Sequence, residues 1–271
     1  MNAPQSPLDG GILRNRVRSG ELTIGTFIGL GTPTSAEVVA ASGVDWIVLD
    51  LEHGGASEEQ IGATAVATGA YGAATIVRVE TAARIRIGRA LDAGAAGVML
   101  PRLNTVAEIN TALQHLRYPP LGDRGVATYN RSARWGGDAD ALARSASEIL
   151  GIVQIESAAA VAAADEIAAI DGVDVLFIGP LDLSFDLGVP RQFAAQVFLD
   201  AADRVLAAAQ RHGKAAGILA TDGRAARDWR DRGFHFLAVG SDSTLLAAAV
   251  ASSMADIDPA RHTLNSKENR A

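Results

Sequence analysis

Cysteine is absent from the 271 residues, so disulfides and thiolate metal sites are excluded, and the chain suits the cytoplasm. Lysine is nearly absent: Lys214 and Lys267 are the only two. No uncharged apolar run reaches the ~18 residues of a membrane span, and the N-terminus lacks a charged lead followed by a long apolar core. We therefore expect neither membrane insertion nor export. Basic residues number 24 against 31 acidic ones, giving −7, and the arginines are scattered rather than clustered, which argues against a nucleic-acid surface. No P-loop is present, and Gly29-Leu30-Gly31 lacks the G-x-G-x-x-G pattern, so nucleotide cofactors are unsupported.

What is present is apolar and periodic. Hydrophobic residues make up 48% of the chain, enough for one large core. Eight short β-branched or aliphatic runs recur: Leu22–Ile28, Trp46–Leu51, Thr75–Val79, Gly97–Pro101, Gly151–Ile155, Val173–Ile178, Ala216–Leu219 and Phe236–Val239. Nearly every run is followed by an Ala/Leu-rich stretch of helical length. That alternation of βα units predicts a single α/β domain, a (β/α)₈ TIM barrel over 21–255, with a lead-in over 1–20 and a polar tail over 256–271. The long segment between Arg117 and Leu150 is rich in Pro, Gly, Arg and aromatics, and we expect an active-site or subunit-contact loop there. The apolar stretch Leu245–Met254 predicts a helix buried against another subunit, the alternative being an ordinary outer helix.

Catalytic groups of such barrels sit at the C-terminal ends of the strands. There the sequence offers Asp50, Glu52 and His53 on the second strand, Arg78 and Glu80 on the third, Gln154 and Glu156 on the fifth, and Gly179-Pro180-Leu181-Asp182 after the sixth. Side-chain alternation pairs Asp50 with Glu52, Arg78 with Glu80, and Gln154 with Glu156 on shared faces. Glu156 and Asp182 suit a hard divalent cation, which takes oxygen ligands and often only one or two carboxylates; as plainly, each could cap a helix start. His53 is the only histidine at a strand's C-terminal end. With Asp50 to orient it, the imidazole suits a general base. Arg78 pointing inward requires an anionic neighbour or an anionic ligand. Lys214 falls before the seventh strand and Lys267 in the tail, so a Schiff-base mechanism lacks a nucleophile.

At WIVLDLEH, VRVE, LDAGAAGVMLPRL, RYPPLGDRGV, QIES, IGPLDLS and GIL, in that order, the chain resembles the HpcH/HpaI family of metal-dependent class II pyruvate aldolases. The resemblance implies cleavage of 4-hydroxy-2-oxo acids to pyruvate, or a similar 2-oxo acid, and an aldehyde. It also implies Mg²⁺, Mn²⁺ or Co²⁺ as cofactor and a hexamer with exchanged C-terminal helices. By resemblance Glu156 and Asp182 are the metal ligands, Arg78 the enolate stabiliser, Asp50 and His53 the acid/base dyad, and Asp92 a further carboxylate near the site. Gln154 supports the metal glutamate, and Gly179, Pro180, Leu181 and Arg124 fall in substrate-binding motifs. Val126 and Leu219 line the outer pocket. Phe27 stands where some members carry tryptophan, and Leu181 where a smaller residue is common, so the preferred aldehyde stays open. Alternatives within the same chemistry are a sugar-acid aldolase of the 2-dehydro-3-deoxyglucarate type and a CoA-thioester lyase; outside it stands a non-catalytic oligomeric barrel.

Overall fold

The structure, a computed structural model, describes residues 10–258. Eight parallel strands, β1 Thr23–Ile28, β2 Trp46–Asp50, β3 Ala74–Arg78, β4 Gly97–Leu100, β5 Leu150–Ile155, β6 Val175–Ile178, β7 Ala215–Ala220 and β8 Phe236–Ser241, close into a barrel in sequence order. Each strand lies within two residues of its expected bounds. The strands are apolar and almost wholly buried because helices cover the outside while side chains fill the inside. The C-terminal expectations that touch residues 259–271, Lys267 among them, lie outside the described residues.

Two apolar layers follow from strand alternation. Ile47, Leu49, Val77, Val98, Val153, Leu176 and Ile218 point outward and meet the helices. Trp46, Val48, Ile76, Ile152, Val175, Phe177 and Phe236 point inward and fill the barrel. The inner layer is aromatic: Trp46 stacks on Phe236 with centroids 4.1 Å apart, and Phe177 meets Phe236 edge-on at 6.1 Å. Gly25 makes room for this stack, since a Cβ there would lie 2.3 Å from the Trp46 ring.

The stretch expected as a lead-in contains the helix Gly10–Arg18, whose Leu13 and Val17 join the inner layer and cover the floor of the barrel. Its attachment is ionic as well as apolar. Asp174, with its side chain 1% exposed, accepts from Arg14 Nε at 3.0 Å and Arg18 Nε at 2.9 Å, and takes the Gly151 N–H at 3.0 Å. Removing one member of a buried ion pair leaves the other charge uncompensated, at about 3–5 kcal/mol. Asp174→Ala should therefore lower the thermal midpoint by on the order of 10 °C. A melting curve unchanged within a degree would show that the pair does not hold the floor.

The segment after the helix Val106–Gln114 leads through a single 3₁₀ turn, Arg134–Gly136, and the helix Ala141–Glu148 into β5. It is a helix-to-strand connection and so belongs to the floor side of the barrel, opposite the strand ends where a (β/α)₈ site is built. Its aromatic residues Tyr129 and Trp135 are exposed. The terminal helix Asp242–Ile257 buries Asp242 alone and leaves Leu246, Val250 and Ile257 largely exposed. Among the described residues no helix is long and apolar enough to cross a membrane.

Candidate active site

The inward-facing rows that build the aromatic core end in charge. Residues 46, 48 and 50 of β2, and 74, 76 and 78 of β3, share one face, so the same alternation that buries Trp46 and Ile76 presents Asp50 and Arg78 at the strand ends. On β5 the row passes from Ile152 through Gln154 to Glu156 just beyond the strand.

Asp50 and Arg78 are register partners on adjacent strands and form a two-pronged pair: Nε to Oδ1 at 2.9 Å and Nη2 to Oδ2 at 2.7 Å. Burial pushes the Asp50 carboxyl up, but the Arg78 hydrogen bonds and charge, with the backbone N–H groups of His53 and Glu52, outweigh it and hold the group below the usual carboxylate range. The remaining arm of Arg78 reaches Glu52 Oε2 at 3.3 Å and Gln154 Oε1 at 3.5 Å. Its guanidinium lies 5.1 Å from the centre of the Phe27 ring.

Gln154 donates in turn to Glu156 Oε2, while Glu156 Oε1 accepts the backbone N–H of Arg102 at 2.6 Å. Arg102 supplies that N–H from a left-handed conformation, φ 57°, uncommon for a non-glycine residue and held here by the carboxylate it serves. Burial raises the Glu156 carboxyl above its usual range, and the nearby charges of Asp182 and Glu52 push the same way against the Arg102 N–H and Arg78. Asp182 stands in the first turn of the helix Pro180–Asp186, next to Gly179. A Cβ on Gly179 would come within 2.7 Å of Gln154 and 3.0 Å of Glu156, so only glycine leaves the space in front of these side chains open.

A cleft of about 660 Å³ opens at this end of the barrel, lined by Phe27, Asp50, His53, Arg78, Pro180, Leu181 and Leu219 together with Arg191, Phe193, Thr221, Ser241, Ser243 and Thr244. The structure thus brings together most of the expected site residues. Others lie apart. The Asp50 carboxylate meets His53 through the backbone N–H at 3.3 Å, being occupied by Arg78; the exposed imidazole instead has Nε2 3.8 Å from Glu52 Oε1. Glu80 does not pair with Arg78 but with Arg86 at 2.8 Å, because β3 ends at Arg78 and its alternation stops there. Asp92 closes the helix Arg84–Asp92 and pairs with Arg124 at 2.6 Å, whose guanidinium lies over Tyr118. Arg124 lines a second, small cavity of about 90 Å³ with Arg131, Arg144 and Glu148, and neither it, Asp92 nor the exposed Val126 lines the mouth of its own barrel.

Glu52, offered by the sequence at the end of the second strand and on the face of Asp50 but given no role there, belongs to this cluster. Its Oε2 is buried, in an ion pair with Arg78 at 3.3 Å but without a well-aligned hydrogen bond. A buried carboxylate beside Glu156, whose own carboxyl is pushed up by burial and by the charges of Asp182 and Glu52, fits the neighbourhood of a cation. Among the described residues no group of three His, Asp or Glu side chains is ready to coordinate a metal alone. Two carboxylates leave the other positions of a hard cation to substrate and water. Lys214 precedes β7, on the floor side, and burial pushes its ammonium down.

Comparison with known proteins shows the family. The HpcH/HpaI aldolase/citrate lyase family matches residues 23–249. The chain is 39% identical over 241 residues to a hydroxypyruvate/pyruvate aldolase of Deinococcus radiodurans, covering 87% of this chain and 86% of that protein. It is 34% identical to a 2-keto-3-deoxy-L-rhamnonate aldolase of Escherichia coli strain HS, covering 88% and 89%. A crystal structure of an HpcH/HpaI aldolase/citrate lyase family protein from Burkholderia cenocepacia J2315 superposes with a TM-score of 0.88 at 34% identity, over 91% of this chain and 99% of that one. The chain belongs to the HpcH/HpaI aldolase/citrate lyase family and is a carbon–carbon lyase of the aldolase type.

Proposed function

We propose that the chain is a class II aldolase that reversibly cleaves 4-hydroxy-2-oxo acids to pyruvate, or a similar 2-oxo acid, and an aldehyde, with Mg²⁺, Mn²⁺ or Co²⁺ held by Glu156 and Asp182. The observation that carries this reading is the buried Arg78 at the end of the inward rows, beside a carboxylate cluster at the head of the cleft. A divalent cation held there supplies Lewis-acid stabilisation for negative charge on the 2-oxo oxygen. Arg78, fixed by Asp50 and Glu52, adds a preorganised positive charge facing the same region. Gln154 orients Glu156, and Gly179 leaves the approach clear. His53, at the rim of the cleft, removes the proton of the C4 hydroxyl as the C3–C4 bond breaks, with Glu52 the acid nearest its ring. The absence of a lysine among the residues lining the cleft supports this route over an imine. Incubation with a 4-hydroxy-2-oxo acid should release pyruvate and aldehyde in equal amounts; release of neither from any such acid would refute the reading.

Assembly is part of the proposal. Leu246, Val250 and Ile257 on the terminal helix and Val126, Tyr129 and Trp135 on the floor-side segment form apolar surface that one barrel leaves uncovered. We expect an oligomer, a hexamer with exchanged terminal helices by family resemblance, in which Asp92, Arg124 and Val126 approach the mouth of a neighbour. Light scattering at micromolar concentration should give a mass well above the 28.0 kDa of one chain. A monomeric mass would contradict it.

A further inference from the structure

We propose that Arg191 is a specificity residue that selects aldehydes carrying a terminal anionic group, carboxylate or phosphate, as partners of the 2-oxo acid. The inference rests on the aldolase reading above and extends it to the other half of the substrate. Two arginines line the cleft, and their charges are differently placed. Arg78 is matched by Asp50 and Glu52. Arg191 pairs with no carboxylate among the described residues. Asp242 and Asp222, which neighbour the lining residues Ser241, Ser243 and Thr221 in sequence, already have donors: Asp242 accepts the N–H groups of Gly29 and Leu30, and Asp222 those of Arg224 and Ala225. Apart from Asp50, His53 and the two arginines, the residues that line the cleft carry no ionisable group, Leu181, Phe193, Thr221, Ser243 and Thr244 among them. An arginine without a carboxylate partner, in a cleft whose only lining acid, Asp50, is already taken by Arg78, suits an anionic group on the ligand.

The backbone shows that Arg191 is held in place rather than loosely tethered. It adopts φ 60°, in the left-handed region that favours glycine. A non-glycine residue persists there where its surroundings over-determine it. Here the fully buried Ser184 accepts the Arg191 N–H at 3.0 Å and itself donates to Leu181 O at 2.7 Å. Val189 N–H returns to Ser184 O and Gln192 N–H to Val189 O, while Phe193 packs edge-on against Phe198 at 5.6 Å. The turn is therefore pinned to the helix Pro180–Asp186, the element that carries Asp182, so the base of the Arg191 side chain keeps a fixed relation to the proposed cation ligand.

The test uses condensation of pyruvate with matched aldehydes: 4-oxobutanoate against butanal, and glyceraldehyde 3-phosphate against glyceraldehyde. The wild-type enzyme should favour the charged member of at least one pair, and the pair that responds identifies carboxylate or phosphate as the group read. In Arg191→Gly, which relieves the strained backbone, that preference in kcat/KM should fall by about 10–100-fold, the scale of a lost charge-assisted hydrogen bond, chiefly through KM. Arg191→Lys should retain more of it. Equal losses for charged and neutral aldehydes, or a wild-type enzyme indifferent to charge, would overturn the assignment while leaving the aldolase reading intact. Failure to condense pyruvate with any aldehyde would overturn both.

Discussion

Arg78→Ala is expected to lose both aldol cleavage and oxaloacetate decarboxylation by about 10²–10³, the usual cost of one preorganised electrostatic donor. Both reactions pass through the enolate of pyruvate, so both transition states place negative charge where this guanidinium faces. The geometry makes the effect large: Arg78 is buried, bound at 2.7 and 2.9 Å to Asp50, and cannot be replaced by water without reorganisation. Its loss also leaves Asp50 and Glu52 buried without their cation, so circular dichroism must accompany the kinetics. Arg78→Lys keeps the charge but loses the two-pronged contact, and should fall between the wild type and Arg78→Ala.

His53→Ala separates the two reactions. Decarboxylation of oxaloacetate needs no base to take a C4-hydroxyl proton, so it should survive while aldol cleavage drops by roughly 10²–10⁴. Equal damage to both, with the fold intact, would make His53 a substrate-positioning residue.

Much of this site was legible because the sequence repeats one rule. Alternation along a buried strand places 48 with 50, 76 with 78 and 152 with 154, so residues that fill the barrel predict which polar residues cap it. The rule failed where the strand ended. Glu80 is two residues past Arg78, but β3 has already stopped, and the side chain turns to Arg86. The Asp50–His53 pair failed for a different reason: a short spacing brings backbones together, while the Asp50 side chain went to a cross-strand partner 28 residues away. The segment from 117 to 150 was recognisably irregular, yet its placement on the floor depends on its following a helix rather than a strand. Asp92, Arg124 and Val126 share that face or its flank, so motif matching grouped them with residues that the single chain keeps apart. Arg191 gave no signal at all. Its place in the cleft depends on a turn pinned by Ser184, and neither periodicity nor spacing records such a turn.

A cation between Glu156 and Asp182 is the central requirement of the proposed reaction. In the chain alone the buried Glu156 carboxyl is already pushed up by burial and by the charges of Asp182, which is exposed, and Glu52. Arg78 is largely spent on Asp50. The residues therefore supply charge to hold a cation but too little positive charge to stabilise an enolate unaided. The direct measurement is pyruvate release from a 4-hydroxy-2-oxo acid by protein stripped with a chelator, then resupplied separately with Mg²⁺, Mn²⁺ and Co²⁺. Activity should be lost on stripping and return with at least one of the three ions. Full activity in protein shown by elemental analysis to be free of metal would contradict that requirement.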